Sequence, residues 1–77
     1  MSPYEKELAQ LCYKQFIETG LRAFIYHPKN GNDMVHATNA ICSMEDEGYI
    51  SDVIDNGFTL SFTIRDSLIR YMEQAES

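Results

Sequence analysis

Asn56-Gly57 is the tightest local constraint in this chain, because two β-favouring runs meet there with space between them only for a turn. Asn-Gly readily takes the positive φ values of a turn whose twist matches that of antiparallel strands. Tyr49–Ile54 and Phe58–Phe62 are therefore expected to form a β-hairpin around Asp55-Asn56-Gly57. A two-residue loop would set Val53 opposite Leu60 and Ser51 opposite Phe62, with Phe58, Leu60 and Phe62 on the core face. An isolated hairpin is marginal in water, so that face needs a cover.

Helical periodicity supplies the cover. Over residues 3–19, Tyr4, Leu8, Leu11, Cys12, Phe16 and Ile17 recur at helical spacing, with Ser2 as cap, Pro3 at the first helical position and Gly20 as the stop. A second helix is expected from Asp33 to Glu47, with Met34, Ala37, Ile41 and Met44 as its apolar stripe and Asn32 or Asp33 as its cap. Gly48 ends it after Glu45-Asp46-Glu47, three carboxylates at the negative end of the helix dipole. Thr63 is expected to cap a last helix, with Asp66 completing the box and Ile64, Leu68, Tyr71, Met72 and Ala75 facing inward. Residues 21–27 fit either a short buried strand or a short helix; their β-favouring content leans to strand before His27-Pro28 ends the run. The expected fold is α+β over a single domain, 1–77, in the order helix, short strand or helix, helix, β-hairpin, helix.

The charge balance narrows the function classes. Twelve acidic residues face six basic ones, a net charge of −6. The cations Lys6, Lys14, Arg22, Lys29, Arg65 and Arg70 run from end to end, which disfavours strong autonomous binding to DNA or to an anionic membrane. No apolar run approaches the roughly 18 residues of a membrane span, and Met1–Lys6 has no basic head leading into an apolar stretch. A cytoplasmic location is the expectation. Cys12 and Cys42 lie within apparent helices and read as buried free thiols. With His27 and His36 they offer zinc-ligand types but no paired spacing, so no metal or cofactor is expected.

From Asp33 to Ile50 the chain resembles the second half of a winged-helix (winged helix-turn-helix) domain: a recognition helix ending in Glu45-Asp46-Glu47, then Gly48, then the apolar pair Tyr49-Ile50 leading into the wing. Phe62-Thr63-Ile64-Arg65-Asp66 is similar to the family's strand-to-helix junction, so the likeness covers residues 33–73. It departs in two respects. The helix that the family places before the recognition helix has only about 12 residues available here, ending in Pro28 and Gly31, so it is shortened or missing. The resemblance also implies DNA contact through the outer face of residues 33–47 and the wing, yet His36, Asn39, Ser43 and Asn56 occupy those positions where the family commonly carries Arg or Lys.

No nucleophile motif, phosphate loop or paired His suggests an enzyme. Asp52 with Asp55, or Glu45 with Glu47, would need a water-excluding pocket to act as an acid–base pair. Tyr13, Tyr26, Tyr49, Tyr71 and Phe24 are candidate contact residues. The leading expectation is a small acidic module that acts by protein–protein interaction. It would present Glu45, Asp46, Glu47, Asp52 and Asp55 to a basic partner: a transcription or replication factor, the target of a phage-type inhibitor, or a second copy of itself. The alternative is a dimeric DNA-binding transcriptional regulator, which spatial clustering of Lys14, Arg22 and Lys29 would favour.

Overall fold

Ser2 starts the first element in the computed structural model, which describes residues 1–76. Its hydroxyl accepts the Glu5 N–H at 3.3 Å while the Glu5 carboxylate accepts the Ser2 N–H at 2.8 Å, a reciprocal capping box. Helix α1 then runs Pro3–Thr19 and stops at Gly20, whose φ of 73° brings its N–H back to the Phe16 carbonyl. The buried side is Glu5, Leu8, Ala9 and Cys12; Leu11 and Ile17, expected to face inward, are exposed. The stripe is rotated toward Ala9, which is fully buried.

Residues 23–26 are a strand, β1 (Ala23–Tyr26), which resolves the ambiguity of that run. Helix α2 spans Gly31–Asp46 and starts earlier than expected. Its cap is Asn30 rather than Asn32 or Asp33: the Asn30 side chain accepts the Asp33 N–H at 2.8 Å, while the Asp33 carboxylate is drawn elsewhere. Ala37, Ala40, Ile41 and Met44 are buried along α2, close to the expected stripe. Strands β2 (Ile50–Asp55) and β3 (Leu60–Ile64) form the hairpin, and α3 (Asp66–Glu76) closes the order.

The sheet is antiparallel throughout, with β3 between β1 and β2. Leu60, Phe62 and Ile64 of β3 and Ile50 of β2 point into one core with Leu8 and Cys12 of α1, Ala37, Ile41 and Met44 of α2, and Leu68 and Met72 of α3. All three helices thus cover the same sheet face. Tyr13, Tyr26, Tyr49, Tyr71 and Phe24 pack around the margin of this core, with Phe24 stacked on Phe62 at 5.4 Å and Tyr49 edge-on to Tyr71 at 5.6 Å. Each is half-buried, with part of its surface committed to the fold.

Three further expectations need correction. Thr63 does not cap the last helix; it lies in β3, paired with Ala23 and Ser51, because Ile64 continues the strand opposite Ile50 and donates its N–H to the Arg22 carbonyl. Helix α3 begins only at Asp66, and Ala75 is exposed. Cys12 is buried, but Cys42 is exposed, since it follows Ile41 onto the solvent side of α2. The arrangement of three helices and a three-stranded antiparallel sheet is compatible with a winged-helix-like fold.

Candidate functional site

The hairpin departs from its expected register, and the departure leaves Ile54 exposed on the open face of the sheet. Ser51 pairs with Thr63, but Ile54 pairs with Ser61, so β2 carries one extra residue between them. This is a β-bulge, and Asp52 sits in it with φ 56°, a left-handed conformation that Asp tolerates better than most residues. Strict alternation from Ile50 would turn Asp52 and Ile54 inward. The bulge instead sends Val53 to the core margin and leaves Asp52 and Ile54 in solvent. Ile25 and Ile54 now flank Ser61 across the three strands, on the sheet face that no helix covers. They are 57% and 62% exposed.

The loop is longer than two residues. Asp55 Oδ1 accepts the Gly57 N–H at 2.8 Å, and Asn56 Oδ1 accepts the Phe58 and Thr59 N–H groups at 3.0 and 2.7 Å. Gly57, at φ 92°, provides the reversal. The effect is to place Phe58 in the loop at 86% exposure, not on the core face where alternation put it. A phenyl ring this exposed, in the loop that Asp55 opens, sets apolar area beside negative charge at the hairpin tip.

All five acidic candidates are exposed, but they do not form one compact patch. Glu45, Asp46 and Glu47 stand at the junction of α2 with β2, and Asp55 at the far end of β2, a separation of about 17 Å at strand spacing. Of the five, only Asp52 and Asp55 lie on β2, which is an edge strand. Glu47 accepts a long hydrogen bond from Ser43 at 3.4 Å, and Asp52 one from Ser51 at 3.3 Å.

The positions implied by resemblance for DNA contact are placed differently. His36 and Asn39 border a small pocket with Ser2, Tyr4 and Glu5 at the seam between α2 and the start of α1, and His36 lies 6.2 Å from the Tyr4 ring. The backbone N–H of Ser2 holds the buried Glu5 carboxylate below the usual range, with further help from Ser43. That face therefore carries a fixed anion. Asn56 spends its carbonyl oxygen inside the turn. The cations do not gather there either: Arg22 precedes β1 and pairs with Asp66, whereas Lys29 follows β1 beside Asp33.

One polar group went unrecognised in the sequence. Asp33 accepts Tyr4 Oη at 2.7 Å on one oxygen, and Tyr26 Oη at 2.8 Å and the Lys29 N–H at 2.9 Å on the other. The two phenols also touch at 3.0 Å. The Lys29 N–H and the phenols hold the Asp33 carboxyl below its ordinary range; burial and the bond to Asp33 push both phenols up, and the contact between the phenols raises Tyr4 further while it offsets part of the rise at Tyr26. A carboxylate so stabilised is a weak base; this cluster clasps α1, β1 and α2 together. Only the asparagine-rich turn at Asn30-Gly31-Asn32 hinted that Asp33 would be freed from capping duty.

No helix is long and apolar enough to cross a membrane, and no cluster of His, Cys, Asp or Glu suited to a metal ion occurs among the described residues. No protein-family model, curated protein or solved structure matches the chain.

Proposed function

We propose that this chain is a small acidic winged-helix-like module, lacking the helix that usually precedes the recognition helix, and that it works by binding another protein. The observation that carries the reading is Phe58, a solvent-facing aromatic at the tip of an acidic hairpin. Aromatic side chains dominate the binding energy of protein interfaces, and flanking charges select the partner and speed encounter. Phe58 is the anchor, Ile54 and Ile25 extend its contact area over the open sheet face, and Asp52 and Asp55 supply the rim. Glu45, Asp46 and Glu47 add acidic charge at the junction of α2 with β2. The partner surface is then an apolar recess with a basic rim, of the kind that proteins handling nucleic acid present. A regulatory role follows from occupying such a surface, which a transcription or replication factor would otherwise offer to DNA.

The test is capture of partners from cell extract with the wild-type chain and three variants in parallel. A protein retained by the wild type should bind Phe58→Ala at least about 30-fold more weakly, the scale of a hot-spot truncation. It should also lose affinity on Asp55→Lys and be indifferent to His36→Ala. Equal retention by Phe58→Ala and the wild type would refute the reading. Sedimentation of the purified chain distinguishes a second copy from a foreign partner: a dimer that dissociates on Phe58→Ala would make the partner this chain itself.

A further inference from the structure

Away from the hairpin tip, a cavity of about 660 Å³ is lined by Arg22, Gly48, Arg65, Asp66, Ser67 and Arg70. The chain has six Lys and Arg residues in all, so half its cations line this one opening although the molecule as a whole is strongly acidic. Their gathering is produced by the fold. Arg22 ends the turn before β1, Arg65 links β3 to α3, and Arg70 lies one turn into α3. Arg22 is held in place: its guanidinium donates to Asp66 Oδ1 at 2.6 Å and to the Ile64 carbonyl at 3.3 Å, and lies 5.1 Å above the Phe16 ring centre. Arg65 and Arg70 are exposed and form no ion pair among the described residues. Three guanidinium groups against one carboxylate leave the lining with a net charge of +2.

Like charges held together without a matching anion are unfavourable, and guanidinium forks match the oxygens of phosphate in pairs. A phosphate monoester carries about −1.5 to −2 near neutral pH, which balances this lining. Asp66 and Ser67, which line the same opening, are the first two residues of α3, and the first N–H groups of a helix have no acceptor within it. We propose that this cavity is a binding site for a phosphate monoester group. Arg65 and Arg70 grip its oxygens, Arg22 supplies a fixed third charge, and Asp66 is a built-in competitor that keeps the empty site partly neutralised. This inference is independent of the hairpin surface.

The experiment follows amide and guanidinium NMR resonances during titration with inorganic phosphate, the ionic strength being held constant with sodium chloride. Saturable shifts confined to Arg22, Arg65, Asp66, Ser67 and Arg70 are expected. The double variant Arg65→Gln/Arg70→Gln, both positions being exposed, should weaken binding about tenfold or more, and Asp66→Asn should tighten it. Glycerol phosphate and a short phosphoserine peptide then distinguish the source: the tighter of the two tells whether the group belongs to a small metabolite or to a modified protein segment. Shifts that fail to saturate, or that survive in the double variant, would overturn the site. So would tighter binding of duplex DNA with shifts spreading to His36 and Asn39, because the ligand would then be a phosphodiester backbone.

Discussion

Asp33 ties three elements together through one carboxylate, with donors from α1, β1 and the turn before α2. Replacing it with Ala should lower stability by about 2 kcal/mol, the scale of losing hydrogen bonds to a charged acceptor at a partly exposed site. Urea unfolding measures this directly. The pH dependence has a definite sign. Asp33 and Glu5 both have folded-state pKa values below their ordinary ones, so their contribution is complete above about pH 5 and is lost as pH falls through the ordinary values to the lower folded ones. The wild type should therefore lose stability on acidification, and Asp33→Asn should show a shallower loss. The cysteines separate in the same way. Burial pushes the Cys12 thiol up to about 12, whereas Cys42 is exposed. Iodoacetamide under native conditions is expected to alkylate Cys42 and spare Cys12, read by peptide mass analysis. Helical spacing already separates the two thiols, since Cys12 falls in the apolar stripe of α1 and Cys42 outside that of α2; their apolar chain neighbours alone do not.

The hairpin shows where local patterns succeed and where they stop. Ser2, Pro3 and Gly20 marked α1 to the residue, because capping is a local interaction between neighbours in the chain. Ser2→Ala should accordingly cost about 1 kcal/mol. The turn at Asn56-Gly57 was equally legible in position, but not its width, since that depends on side-chain bonds that Asp55 and Asn56 make only once the strands are paired. The bulge was hidden by an apparently regular alternation of Ile50, Asp52 and Ile54. An inward Asp would be buried without a partner, and the extra residue avoids that cost. Deleting Asp52 should then leave the fold intact, with Val53 still inward and Ile54 still beside Ser61. Deleting Val53 should place Asp52 inward and destabilise the chain by several kcal/mol, on the order of a buried unpaired charge. Thermal unfolding of the two deletion variants, which are equal in length, separates these outcomes.

Charge is the property that the whole molecule reorganises most. The acidic border at Glu45, Asp46, Glu47, Asp52 and Asp55 could be read from a short stretch of sequence, and each of these side chains is exposed. The arginine-lined cavity could not, because Arg22 meets Arg65 and Arg70 only through the pairing of β1 with β3. With a net charge of −6 and Glu5 fixed beside His36 and Asn39, random duplex DNA at low salt, where charge interactions reach furthest, is expected to leave the amides of His36, Asn39, Ser43 and Asn56 unshifted. On the proposed function, the face that a winged-helix domain commonly offers to nucleic acid is unused, and recognition passes to the hairpin and the open face of the sheet. Hydrogen exchange of the chain, free and in complex with a captured partner, locates that recognition. Slowed exchange at β1, β2, β3 and the loop around Phe58, with α2 unchanged around His36 and Asn39, is the predicted footprint; slowed exchange confined to α2 around His36 and Asn39 would contradict it.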